Sequence, residues 1–375
     1  MRVALVHDWL TGMRGGERVL EALLALYPGA TIHTLVHVRG SVSAAIEARP
    51  IRTSLIQRLP GAPRRFRQYL PLFPVVAARL GRDLAGYDLV LATSHCVALG
   101  ARPPAPVCHV VYCFTPMRYA WAFAGEYLGR VPTGARAGVR MALAALRRWD
   151  RAAGLRAGHL ACISHHVAAR IQRAYGREAR VIYPPVRTDF FGAAAVGGPG
   201  PADGAFLCVS ALTPYKRLDV AVDAFTRLGW PLVVIGAGPE RARLQRRAGP
   251  TVRFLGWQDD QTLRRAYQGC RAFVFPGEEE FGIAPLEALA AGRPVLAFAH
   301  GALTETVVDG VSGLFFHEQT PEALIDALRR FEVSGWSPEK IRGHARHFAE
   351  PAFRAEMGAF VEAARNTARG LARAC

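Results

Sequence analysis

Twice along this chain, short apolar runs rich in Val, Leu and Ile alternate with longer Ala/Leu/Arg stretches of helical period. Strands separated by helix-length segments pair most simply side by side through crossovers, so strict alternation predicts parallel sheets with helices on both faces. In the first half, strands are expected at Val3–His7, Thr31–Val36, Leu89–Ala92, Val107–Cys113, Leu160–Ile163 and Arg180–Tyr183, with helices including Gly16–Leu26 and Thr133–Gly154. In the second half the strands are Phe206–Ser210, Leu232–Ile235, Val252–Leu255, Ala272–Phe275, Val295–Phe298 and Leu314–Phe316. The helices there are Leu218–Leu228, Glu240–Arg247, Asp260–Gln268, Pro285–Ala291 and Pro321–Phe331. Tyr183-Pro184-Pro185 closes the first series, and the Gly/Ala/Pro-rich Gly192–Gly204 reads as an unpacked loop. The expected class is α/β, two doubly wound domains facing across a cleft: residues 1–186, residues 187–350, and a terminal helical segment 351–375.

Composition agrees with that size and class. A chain of 375 residues suits about two domains, each able to bury its own core. Hydrophobic content of 51% rules out global disorder, and no run of about 18 uncharged apolar residues offers a membrane-spanning helix. Asp8 follows the first apolar run directly, which reads as a strand rather than a signal peptide. The seven cysteines form no C-x-x-C pair and sit mostly in apolar runs, as expected of reduced structural thiols. A net charge of +17 asks for a polyanionic partner: nucleic acid, an anionic membrane surface or a phosphorylated substrate. The only lysines are Lys216 and Lys340, so much of the excess is an arginine-rich composition.

Four loops at strand ends carry the candidate chemistry. Thr11–Glu17 (T-G-M-R-G-G-E) lets backbone approach a ligand at a helix N-terminus, although glycines in such turns also serve structure alone. Gly236–Arg241 has G-x-G but no third glycine, and reads as a structural turn. Thr213–Asp219 (T-P-Y-K-R-L-D) puts two cations at a helix start, against the macrodipole, which favours an anion lying between them and the amides. Glu278–Glu287 (E-E-E-F-G-I-A-P-L-E) lies at a strand's carboxyl edge, where open α/β sheets bind ligands. With Pro285 at the first helical position, Glu287 falls in the first turn and Glu279 in the loop ahead. Two such carboxylates suit vicinal hydroxyls of a sugar or ribose, whereas solvation and dipole complementation are their plain alternative.

Glu279–Glu287 resembles the E-x-F-G-x-x-x-x-E signature of retaining glycosyltransferases of family 4, and Ala288–Pro294 resembles its continuation. His7-Asp8-Trp9 with Gly15-Gly16-Glu17-Arg18 is similar to that family's glycine loop. Thr115–Trp121, Tyr183–Val186, Pro214–Arg217 and Gly301–Gly313 resemble further motifs of the branch holding bacterial mannosyltransferases of polysaccharide and O-antigen assembly. The resemblance implies the GT-B architecture, two Rossmann-like domains with the donor held mainly by the second, and a last helix crossing back to the first. It implies that Glu287 holds the donor ribose, Glu279 the transferred sugar, and Lys216 the leaving diphosphate. Gly15, Gly16 and Ala302 would supply amides, with Phe281, Gly282 and Ile283 completing the donor loop. Asp8, Arg118 and Tyr119 would lie on the acceptor side. Without a D-x-D motif the charge is expected to be met without metal, and retention by front-face attack, with no cofactor beyond the nucleotide sugar.

Two positions depart from the family. Phe114 stands where many relatives carry His, and Ala211 where many carry Arg; His95 and Arg217 are the expected substitutes, and with Glu279 and Lys216 make the expected catalytic set. The expected reaction is transfer of a hexose, mannose from GDP-mannose foremost, to a glycan or polyprenyl-diphosphate-linked acceptor. Alternatives are a UDP- or dTDP-sugar donor, a nucleotide-sugar epimerase of the same fold, or a basic nucleic-acid-binding protein. The last would leave Glu279 and Glu287 unused, so no nucleic acid is expected. Residues 51–82 mix seven arginines with Leu55, Phe66, Tyr69, Leu72 and Phe73. That pattern suits an anionic bilayer surface, with the protein cytoplasmic or peripheral on the inner membrane face, or else an internal arginine-rich hairpin.

Overall fold

The computed structural model describes residues 1–121, 133–194 and 200–374. Their contacts divide into two compact units, the first Met1–Tyr183 with Phe353–Cys375 and the second Pro184–Ala352.

The first unit is built on a seven-stranded parallel sheet in the order β3-β2-β1-β4-β5-β6-β7. Its strands are β1 Val3–His7, β2 Thr31–Thr34, β3 Ile51–Thr53, β4 Leu89–Ser94, β5 Cys108–Cys113, β6 His159–Cys162 and β7 Arg180–Val181. Strands β1, β4 and β5 are buried along their whole length, which explains why they read as continuous apolar runs. The short edge strand β3 was not expected, because two of its three residues are exposed and its sequence is not apolar. The order reverses between β1 and β4, in register His7 to Thr93, so the loops leaving these strands open at the same sheet edge. The terminal helix Glu350–Ala374 packs into this unit, with Phe353 against Tyr112 at 5.7 Å between ring centres. The helix Arg136–Arg156 buries Leu143, Leu146, Asp150, Ala153 and Gly154 as its inner stripe.

The second unit holds a six-stranded parallel sheet, order β10-β9-β8-β11-β12-β13. These are β8 Phe206–Val209, β9 Leu232–Ile235, β10 Val252–Gly256, β11 Phe273–Phe275, β12 Val295–Phe298 and β13 Gly313–Phe316. Phe206, Val222, Phe225, Val234, Leu296, Leu324 and Leu328 form its core between the sheet and the helices Leu218–Leu228 and Pro321–Glu332. Here the order reverses between β8 and β11, again placing two loops at one carboxyl edge. The helices His165–Tyr175 of the first unit and Pro338–Ala345 of the second were not foreseen.

The expected unpacked loop Gly192–Gly204 needs correction over its described part. Residues 195–199 lie outside the described residues, but Ala202 is fully buried and the Gly204 amide donates to the Gly269 carbonyl at 3.2 Å. This turn docks on the end of the helix Asp260–Gly269, which a Gly/Pro count cannot show.

Candidate active site

In the second unit the chain leaves β8 through a short 3₁₀ turn, Pro214–Lys216, before the helix Leu218–Leu228. Arg217 joins them at φ 50°, the one non-glycine among the described residues with positive φ. That conformation costs an arginine about 1–2 kcal/mol. It directs the guanidinium to Asp219 Oδ1 at 3.3 Å, Gln319 Oε1 at 3.2 Å and the Gln319 carbonyl at 3.3 Å. Of the two cations between which and the helix amides an anion is expected, Arg217 is thus tethered by Asp219 and Gln319 of its own unit. Lys216, only 7% exposed, turns beneath it and pairs with Glu279 Oε1, its ammonium lying over the rings of Tyr215 and Phe275. The two loops meet this closely because Gly277 has no side chain: a Cβ there would lie 2.8 Å from the Lys216 carbonyl oxygen.

Glu279 is anchored from the other side as well. Its carbonyl accepts from the Ala302 amide at 3.0 Å, and Gly301, at φ +71°, brings that strand of backbone so near that a Cβ would sit 2.6 Å from the same oxygen. The Ala302 amide, expected to face the donor, is thus already committed. Phe281 is buried against Phe348 at 6.0 Å, and Gly282 (φ +90°) opens the helix Ile283–Ala290 with no room for a Cβ beside Leu303. This helix begins two residues before Pro285, so Pro285 stands third and Glu287 fifth, in the second turn rather than the first. The proline is accommodated because the first four amides of a helix have no intrahelical acceptor in any case. The same fact leaves the Ile283 and Ala284 amides at the helix start open for an anion. Glu287 is half-buried and its Oε2 accepts from the Tyr267 hydroxyl at 3.0 Å. Burial, and then the Glu287 charge, push the Tyr267 phenol well above its ordinary range, so it stays a donor. Tyr267 was missed in sequence; it lies one helix away with no motif to mark it.

In the first unit a second cluster forms where β1 and β4 end. Asp8 is fully buried and accepts the backbone amides of His95, Val97 and Ala98, each at 2.7 Å, and His95 Nδ1 at 2.9 Å. Burial raises its pKa, but the His95 charge and these hydrogen bonds prevail and bring it down to about 2. Gly15 and Gly16 start the helix Gly15–Leu26, and a Cβ on Gly16 would approach both His7 and Phe114 to 3.2 Å. Phe114 thus closes against the glycine turn. His7 Nδ1 meets Thr93 Oγ1 at 2.7 Å and its Nε2 faces Glu17 at 3.7 Å, a pair that sequence reading quoted without assigning. Arg118 and Tyr119 lie further along, in the short helix Arg118–Trp121, where the Tyr119 hydroxyl accepts from Arg67 Nε at 3.1 Å. So Asp8, Gly16 and His95 share one cluster, and Lys216 and Glu279 another. Among the described residues, no group of three or more His, Cys, Asp or Glu side chains is placed to hold a metal ion.

Residues 198–348, which carry the Lys216–Glu279 pair and Glu287, match the family model described as glycosyl transferases group 1. Residues 198–348 are a glycosyltransferase group 1 domain. The group 1 domain also accounts for the curated relatives. O-antigen chain mannosyltransferase C of Escherichia coli is 33% identical over 146 residues, 37% of this chain and 38% of that protein. D-rhamnosyltransferase WbpZ of Pseudomonas aeruginosa is 34% identical over 132 residues, 33% of this chain and 35% of that protein. The matched stretch is thus little more than a third of either relative's length. Beyond the group 1 domain, likeness extends over the whole fold. Anabaena HepE, solved with UDP, superposes with a TM-score of 0.70 at 16% identity, covering 97% of this chain and 100% of that one. The lipopolysaccharide outer core galactosyltransferase WaaB gives 0.65 at 16% identity, covering 97% and 99%. The fold is GT-B, two Rossmann-like parallel-sheet domains.

Proposed function

We propose that this protein is a retaining glycosyltransferase that moves a hexose, mannose from GDP-mannose, to a hydroxyl of a glycan or polyprenyl-diphosphate-linked saccharide. The observation that carries the reading is the carboxylate–ammonium pair of Glu279 and Lys216 at the reversal point of the group 1 domain's sheet, beside the helix start at Ile283. Departure of a nucleoside diphosphate builds negative charge on phosphate while the sugar becomes oxocarbenium-like. A buried ammonium and open helix amides are set to meet that charge without reorganising. Glu279, released from Lys216 by the incoming phosphate, is free to accept sugar hydroxyls, and Glu287, steadied by Tyr267, to accept those of the ribose. In this reading the charge is met by Lys216 and the amides rather than by a metal ion. The mannose assignment is supported by the relative named an O-antigen mannosyltransferase; a UDP-sugar is the second reading, supported by the UDP bound in HepE.

A thermal-shift panel of GDP-, UDP-, ADP- and dTDP-sugars tests this. GDP-mannose is expected to raise the melting temperature most, and Lys216→Ala or Glu287→Ala to shrink that shift. Equal shifts in wild type and variants would remove both residues from the site, and a larger shift with a UDP-sugar would transfer the assignment to that donor. Conversion of donor alone to an epimeric sugar would instead mark an epimerase.

A further inference from the structure

Building on the transferase reading, we propose that Gln319 is a positioning residue of the donor site. It holds Arg217 in its left-handed turn, and thereby keeps the ammonium of the preceding Lys216 where the terminal phosphate of a nucleoside diphosphate meets it. All the groups involved belong to the second unit. Loops that leave β8, β11 and β13 at their carboxyl ends converge on this residue. Gln319 Oε1 accepts from Arg217 Nη1 at 3.2 Å, its carbonyl accepts from Arg217 Nη2 at 3.3 Å, and its Nε2 donates to the Pro276 carbonyl at 2.9 Å. Pro276 directly follows β11 and precedes Gly277, whose missing side chain lets that loop lie against Lys216.

The chemistry of the partners explains why an amide stands here. A guanidinium only donates and a peptide carbonyl only accepts, so a side chain joining them must accept at one end and donate at the other. The Pro276 bond thus decides which end faces Arg217.

The need for a tether follows from the backbone. A non-glycine residue at φ 50° persists only where its surroundings over-determine it. Asp219 lies two residues along the same turn, so its bond at 3.3 Å moves with Arg217. Gln319 is anchored independently. Thr320, next in the chain, caps the helix Pro321–Glu332 by accepting from the Ala323 amide at 3.2 Å, and that helix buries Leu324, Ala327, Leu328 and Phe331 in the core. Gln319 therefore supplies the fixed point. Lys216, one residue before Arg217, pairs with Glu279 from the inward position that this turn imposes.

The test measures, by calorimetry on the full chain, the affinities of GDP and GMP, or of UDP and UMP where the thermal-shift panel favours a UDP-sugar. Lys216 faces the terminal phosphate in this reading, so loss of its position is read in the diphosphate alone. Gln319→Leu is expected to weaken the diphosphate about tenfold and the monophosphate less than about twofold. Gln319→Glu presents oxygen to Arg217 at either end of the group. It is expected to keep the diphosphate within about threefold of wild type, and it covers the case that the leucine variant does not fold. In an Arg217→Gly background, where glycine takes the left-handed turn without a tether, Gln319→Leu should cost less than about twofold. Equal weakening of both nucleotides marks a merely structural role and overturns the proposal. So does an unchanged diphosphate affinity, a loss in Gln319→Glu as large as in Gln319→Leu, or an undiminished effect in the Arg217→Gly background. In each of these cases the wild type still binds the diphosphate, and the transferase reading stands. A wild type that binds neither nucleotide overturns both.

Discussion

Lys216 and Glu279 are better understood as a pair than as two separate ligands. Both are largely buried, so removing one partner strands the other charge, at a cost of about 3 kcal/mol. Urea denaturation should show that loss in Lys216→Met and recover most of it in Lys216→Met with Glu279→Leu; simple additivity of the two changes would mean they do not interact. Tyr267→Phe removes one donor from Glu287 and is expected to cost about 1 kcal/mol in stability. The same variant should weaken nucleoside-diphosphate binding several-fold by calorimetry; an unaltered affinity would separate Glu287 from the donor. In the sequence, Glu279 and Glu287 share one motif and Lys216 joins them only through the family resemblance; the structure pairs Lys216 with Glu279. The sequence did not show that Lys216 would turn inward, since that depends on the left-handed Arg217 and on Gln319, about a hundred residues later.

Elements set where these residues stand, and the helix Arg136–Arg156 illustrates how. Its Asp150 accepts from Trp121 Nε1 at 2.8 Å and the Tyr175 hydroxyl at 2.9 Å, while Arg147 bonds the Ala120 carbonyl, so one helix face clamps the segment carrying Arg118 and Tyr119. Burial raises the Asp150 pKa from 3.8 to about 6, against the lowering by these two hydrogen bonds. A carboxyl that holds its proton more tightly folded than unfolded contributes stability below pH 3.8 that is lost as pH rises through 6. The buried imidazoles of His33 and His109, lowered to about 4 and about 3, act in the opposite sense as pH falls, so the variant difference is the quantity to read. Relative to Asp150→Asn, wild type should gain about 2 kcal/mol on going from pH 7 to pH 4. A constant difference across that range would mean that Asp150 does not titrate there. In the second unit, Gly301→Ala forces a Cβ into the Glu279 carbonyl at a positive φ, and should lower the melting temperature by several degrees and remove the nucleotide shift. The early start of the helix at Ile283 was illegible because Pro285 is a good first helical residue, and only the backbone turn at Gly282 places it third.

At the scale of the whole molecule, part of the +17 charge is concentrated in residues 51–82. Residues 51–82 contain no acid, and Arg58, Arg64, Arg65 and Arg67 are exposed near Leu55, Leu72 and Val75, which are 49%, 45% and 70% exposed. Phe66 and Phe73, expected to share that surface, are instead buried in the first unit's core. We propose that the remaining arginine–leucine surface rests on an anionic bilayer, which would hold the protein where a lipid-linked acceptor is found. Flotation with phosphatidylglycerol vesicles at low salt should recover the wild type, and replacing the four arginines by glutamine should abolish recovery; flotation of neither would end the idea. What the sequence determined by itself was the alternation that makes two parallel sheets and the motif that lies within the group 1 domain. Both are local: burial on two faces makes a strand apolar throughout, and a ligand loop needs its residues at close spacing. Only tertiary structure decided the partnerships of Lys216 with Glu279, Tyr267 with Glu287 and Asp8 with His95, because parallel sheets bring together loops from strands far apart in the chain. No periodicity records which side chains then meet.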